Sequence, residues 1–334
     1  LLSNIEGKTR GAITALSIGE LTSLVILTMF YVKTNKKLSG YNVHSLNLKQ
    51  FRKNIRDIFA ISIPISASQI INSLSFSCKA LLIPKCLQIS GLTSSDAMAI
   101  FGKTSGMVMP LLFFPAIFIS SLSSNIIPKM SHVLSQNNPN KAFNLAQKCI
   151  ILTNCFSLCL SSFLIILSKP IADLFFYGNY VENIICCFAI GIPYFYIENL
   201  LLAILRGTGN NKTPLLNSFY SFFIENALII LLVSKPNFGI YGYAIALITA
   251  SFVSTFISLD ALEKYFCNRF NTWNIIIKPL ICCLFMCFIL NKTYPSLAAI
   301  GFPTILSIGT AFILGASGYI ALAGALGLFI IIRQ

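Results

Sequence analysis

Apolar residues in this chain come in runs of membrane-spanning length, separated by short polar connections that carry most of the lysines. At ~1.5 Å rise per residue, about 20 apolar residues in a helix cross the hydrocarbon core of a bilayer. Nine stretches qualify: A 11–32, B 57–83, C 97–127, D 146–168, E 183–205, F 214–234, G 238–260, H 274–290 and I 303–331. Region I is long, and one tilted helix preceded by an interfacial Gly301/Pro303 stretch is simpler than two short ones. The pattern predicts an all-α fold: a polytopic integral membrane helical bundle of about nine transmembrane helices.

Composition agrees. Of 334 residues 56% are hydrophobic and 10% charged, with a mean hydropathy of +0.79, whereas a soluble domain carries about 25% charged residues. The net charge of +14 would suggest nucleic acid in a soluble protein. Here the basic residues sit in short loops, so membrane topology and anionic headgroups account for them and no nucleic-acid partner is expected. One set of connections holds 16 Lys and Arg and the alternate set 6, which places the first set in the cytoplasm. Eleven cysteines and two histidines, His44 and His132, are present. Cys186, Cys187, Cys282, Cys283 and Cys287 lie inside apolar spans and no Cys-x-x-Cys occupies a polar loop, so they read as small packing residues and no metal or cofactor is expected. Nucleophile elbows, phosphate-cradling glycine loops and acidic metal motifs are lacking, so the chain does not read as an enzyme. It starts at Leu1 without an initiator Met or signal peptide, as a fragment of a longer protein would.

A gapless alignment of Gly11–Ile26 with Gly242–Ile257 gives five identities in sixteen positions. Spans A and G lie six apart and run in the same direction, as parallel six-helix repeats require. A would then close a first repeat, and B to G would form the second.

Charges inside a bilayer cost roughly 2.5–3.5 kcal/mol each on insertion scales and call for a partner or a wet cavity. Glu20, Lys79, Lys103, Glu198 and Glu225 fall within spans. Ser68, Asn72, Ser75 and Lys79 share one helical face of B; Asn217, Ser221 and Glu225 share one face of F; Tyr194 and Glu198 are one turn apart after Pro193. Polar stripes on apolar helices either line a cavity or join helices by hydrogen bonds. For Lys103, Glu198 and Glu225 the cavity role is favoured; for the lone Ser and Asn residues, the hydrogen-bonding role. Prolines 64, 110, 115, 193 and 279 sit inside spans, where each removes a backbone donor and tends to kink the helix.

Several stretches, in order, carry a resemblance: Ile61-Ser-Ile-Pro-Ile-Ser, Ala80-Leu-Leu-Ile-Pro-Lys, Phe101-Gly-Lys-Thr-Ser-Gly-Met, Ser121-Leu-Ser-Ser-Asn-Ile-Ile-Pro-Lys-Met-Ser, Leu205-Arg-Gly-Thr-Gly-Asn-Asn-Lys-Thr-Pro and Gly239-Ile-Tyr-Gly-Tyr-Ala. With these the chain resembles the stage V sporulation protein B group of polysaccharide-type exporters, in the superfamily that also holds lipid II flippases and MATE drug exporters. The resemblance implies fourteen helices, as two six-helix lobes around a cavity plus two more. On that map residues 1–32 carry the last helix of an incomplete first lobe and 33–56 a basic cytoplasmic linker. Residues 57–262 form the six-helix second lobe, and 263–334 the two additional helices. Lys79 stands where the group has an acidic residue and Lys103 where it has a neutral one, which makes a cavity more positive and leaves the group's coupling scheme open here.

The function implied is export or flipping of a lipid-linked saccharide, a peptidoglycan precursor or polysaccharide unit for the cell or spore wall, by alternating access in the bacterial plasma membrane. The expected partners are that substrate, membrane lipids and cell-wall synthesis proteins, with a proton or sodium ion as the candidate coupling ion. The candidate cavity residues are Lys79, Lys103, Asn72, Glu198, Glu225, Asn217 and Ser221. Two rival readings stand beside it: a cation-coupled multidrug exporter of the MATE type, and a non-transporting scaffold for wall synthesis.

Overall fold

The computed structural model describes residues 2–38, 48–176 and 181–328; segment 39–47 of the basic linker and the tail residue Arg333 lie outside them. Two compact units divide the chain between Phe59 and Ala60. In the first, α1 (Leu2–Leu38) holds span A. From Ile18 to Val32 its large apolar side chains are exposed, and Glu20 is exposed with them.

In the second unit the apolar runs form helices whose breaks follow the prolines and glycines. The long α2 (Leu48–Ile89) enters from the first unit and holds Pro64 and Pro84 inside it. Next come α3 (Ser94–Lys103), a wide π turn over Thr104–Val108, α4 (Met109–Phe113) and α5 (Ala116–Ser135). The start of α3 is capped by Thr93, whose Oγ1 accepts from Asp96 N at 3.2 Å. At Pro115 the chain bends by 56°, and this makes one broken span of α3–α5. Asn138 caps α6 (Pro139–Ile166) by accepting from Lys141 N at 3.1 Å, with Pro139 in the first turn.

Short α7 (Ser168–Phe175) leads on to α8 (Glu182–Ala189) and α9 (Ile192–Gly207), a second broken span bent by 45° just before Pro193. The remaining helices are α10 (Lys212–Leu228), α11 (Gly239–Phe266), α12 (Lys278–Ala299) and α13 (Thr304–Ala325). Pro279 sits inside a continuous helical span, Trp273–Ala299, just after a π turn over Trp273–Ile277, and does not break it.

Among the described residues, six helices are long and apolar enough to cross a membrane, or eight if each bent pair is one span. These eight fall on B to I. Region I is one helix after the Gly301–Pro303 break. Span A is helical as well but lies outside the set, so the count of nine is approximate.

Large apolar side chains such as Phe118, Phe223 and Phe256 are exposed on the outer faces, as lipid-facing positions require. The interior is held by small-residue contacts and by hydrogen bonds onto backbone carbonyls. Tyr196 Oη on α9 donates to Leu112 O on α4 at 2.8 Å, and Ser161 Oγ on α6 donates to Ala189 O at 2.7 Å. Asn154 Nδ2 donates to Ile275 O at the start of the last helix pair. Gly242 lets α11 lie directly on the end of the preceding span, since a Cβ there would stand 2.9 Å from Leu232 C and Val233 N.

Candidate functional site

Four helices build a pocket that brings three of the five intramembrane charges together. On α2, Asn72, Ser75 and Lys79 recur at i, i+3 and i+7, so they share a face. Opposite them α10 presents Ser218, Ser221, Phe222 and Glu225, and α11 closes the wall with Leu247, Ala250 and Ser251. Glu198 enters from α9. Five of the eleven lining residues are serine or alanine, and the small side chains leave a cavity of about 230 Å³.

The central contact is an ion pair. Lys79 Nζ donates to both carboxylate oxygens of Glu225, at 3.0 and 3.1 Å, and Ser75 Oγ donates to Oε2 at 3.3 Å. The two side chains are 18% and 7% exposed. A pair this buried is electrostatically strong, and each partner is costly to leave alone. Among the described residues Glu198 finds no salt-bridge partner; the Ser251 and Ser254 hydroxyls lie toward its carboxyl. No hydrogen bond inside the usual distance limit reaches buried Ser254 Oγ from these residues. Among the lining residues there are thus two carboxyls and one ammonium.

Of the seven residues the sequence singles out, five line this cavity: Asn72, Lys79, Glu198, Ser221 and Glu225. Asn217 lies deeper, 1% exposed, where its Nδ2 donates to Ser258 Oγ at 2.7 Å and Ser254 O at 3.3 Å. It joins α10 to α11, leaving its own Oδ1 without a partner among the described residues. Lys103, half-buried at the end of α3, is not among the lining residues. Ser218 and Ser251 line the wall without standing out in the sequence pattern. For Ser251 the signal was present: Ser251, Ser254 and Ser258 recur at i, i+3 and i+7 along span G.

Residues 11–305 match the family model for the lipid II flippase MurJ. The chain belongs to the lipid II flippase MurJ family. This MurJ-family chain is 23% identical over 264 residues to stage V sporulation protein B of Bacillus subtilis, covering 78% of the chain and 50% of the relative. It is 28% identical over 195 residues to a probable lipid II flippase MurJ of Rickettsia prowazekii, covering 53% of the chain and 37% of that protein. The chain therefore spans half or less of the length of these curated relatives.

The fold is similar to the inward closed conformation of the lipid II flippase MurJ, with a TM-score of 0.60 at 17% identity, over 86% of this chain and 57% of that one. An outward-facing MATE-family multidrug resistance transporter matches with a TM-score of 0.52 at 16% identity, over 81% and 67%. Family, fold and apolar helices make this MurJ-family chain a multi-pass protein of the bacterial cell membrane.

Proposed function

We propose that the chain serves in a flippase for a lipid-linked saccharide, with the Lys79–Glu225 pocket as a subsite for the anionic phosphate linkage of the substrate. The observation that carries this reading is the intramembrane ion pair itself. An ammonium already held in a cavity between α2 and α10 needs only to exchange one anion, the Glu225 carboxylate, for another. At about 230 Å³ the pocket falls below the usual range of roughly 300–1,000 Å³ for ligand sites. It therefore suits a charged group and not a whole saccharide head.

Exchange of the pair would release α2 from α10, and charge transfer would thereby be linked to a change of helix packing, as alternating access needs. The released Glu225 would be left with Ser75 and with a coupling proton or sodium ion. On this reading the chain performs no bond chemistry, and peptidoglycan precursors or related wall units are the substrate class. Cell-wall synthesis proteins are its proposed partners. The six-helix lobe over 57–262, followed by two further helices, is the arrangement within which the pocket would work.

Glu198 favours a second reading. A carboxyl in the pocket without a cation partner would suit an organic cation, as in a MATE-type exporter. The two readings separate in one experiment on the full-length protein reconstituted in vesicles. Translocation of a fluorescent lipid-linked saccharide is expected to be abolished by Lys79→Ala and partly kept by Lys79→Arg, while Glu198→Gln has the smaller effect. Wild-type translocation by Lys79→Ala would overturn the phosphate subsite. Loss of organic-cation efflux in Glu198→Gln, with no lipid movement in the wild type, would establish the exporter. If neither cargo moves and neutralising every intramembrane charge leaves wall synthesis intact, the scaffold reading holds.

A further inference from the structure

Three further cations, Lys129, Lys148 and Arg206, lie on α5, α6 and α9, none of them among the residues that line the Lys79 pocket. From Ala97 to Ala172 the sequence has no acidic residue, and none lies between Glu198 and Glu225. Lys129 on α5, Lys148 on α6 and Arg206 on α9 therefore have no carboxylate on their own helices nearer than Glu198, eight positions from Arg206.

The helices that carry them pack closely. A Cβ at Gly207 would stand 2.9 Å from Met130 Cβ and 3.1 Å from Ile127 O, so the end of α9 sits on the turn of α5 that bears Lys129. Cys149 on α6 lies within electrostatic reach of both Lys129 and Lys148. The two acids of neighbouring α11 are occupied locally: Asp260 pairs with Lys264 at 2.6 Å, and Glu263 accepts from Phe270 N at 2.9 Å.

One further observation points to a ligand. Arg206 Nε is buried and has no hydrogen-bond partner among the described residues. A guanidinium is always charged and presents its donors as a fork that matches phosphate oxygens, and an orphaned buried donor is costly. These cations lie at the ends of spans on the side richer in Lys and Arg, where anionic lipid phosphates are at hand.

We propose that Arg206, with Lys129 and Lys148, holds the phosphate of an anionic phospholipid at this end of the protein. The site is independent of the substrate pocket, and its test needs no transport.

Native mass spectrometry of the full-length protein in detergent, with phosphatidylglycerol, phosphatidylcholine or inorganic phosphate added, decides it. Phosphatidylglycerol is expected to be retained several-fold better than phosphatidylcholine and to resist displacement by phosphate. Arg206→Gln should lose one retained lipid, Arg206→Lys should hold it more weakly, and Lys129→Gln/Lys148→Gln should weaken retention several-fold. Lys141→Gln, exposed at the start of α6, should change nothing. Equal retention of the two lipids would overturn the site, as would an unchanged lipid count in Arg206→Gln or an equal loss in Lys141→Gln. Full displacement by inorganic phosphate would replace the lipid with a free anion. If Arg206→Gln does not fold, Arg206→Lys and the double lysine variant decide between the same outcomes.

Discussion

Two regions of the second unit bury polar groups in apolar surroundings, and they do so in opposite ways. Around α4, α6 and α9, neutral side chains reach across to backbone carbonyls: Tyr196 to Leu112, Ser161 to Ala189, Asn154 to Ile275. Each bond ties a side chain to a fixed acceptor. Between α2 and α10, side chain meets side chain, charge meets charge, and space is left beside them. The first region is riveted; the second is clasped. A backbone carbonyl cannot leave its helix, whereas an ammonium can exchange one carboxylate for another anion.

That contrast can be broken at graded cost. The largest effect is expected at the clasp. Glu225→Ala leaves a buried ammonium unpaired and should destabilise the protein by about 3–5 kcal/mol, read as a lower unfolding midpoint in detergent. Lys79→Met/Glu225→Met removes both charges and should recover most of that stability while lipid-linked saccharide translocation stays lost. Recovery of both would make the pair a structural element only.

Next in size is a rivet. Tyr196→Phe deletes the bond to Leu112 O and should cost about 1–3 kcal/mol, with translocation per folded molecule unchanged. A change in translocation at constant stability would show that the two regions are coupled. The smallest effect is expected at Asn217→Ala. Interhelical side-chain bonds in membranes average about 0.6 kcal/mol, and the Asn217 amide already leaves its Oδ1 unpaired among the described residues.

Much of the fold was legible in the sequence, because run length and helix rise fix spans with little reference to the rest of the chain. All nine predicted spans fall on helices or bent pairs, and eight of them are long and apolar enough to cross a membrane. Pro115 and the Gly191–Pro193 stretch break their helices, while Pro64 and Pro279, inside continuous helices, do not.

The cavity was legible by half. Periodicity places Asn72 with Lys79 and Ser221 with Glu225, since a helix fixes which residues share a face. It cannot say what that face meets. Asn217 shares the Ser221–Glu225 stripe, yet Ser254 and Ser258 are small enough for α11 to close over it, and it becomes an interhelical bond. Ser251 belongs to a serine stripe with Ser254 and Ser258 that the sequence does show, but only the packing of α11 on α9 and α10 tells that it meets the cavity. The partner of Lys79 lies 146 residues along the chain, and no local pattern reports such a distance.

Gly242 has a mechanical consequence. With backbone against backbone at Leu232 and Val233, the α10–α11 hairpin is too closely seated for its two arms to slide independently, so it behaves as a single lever. The pocket then has one stiff jaw and, across the ion pair, α2, a continuous helix in which Pro64 and Pro84 each remove a backbone donor.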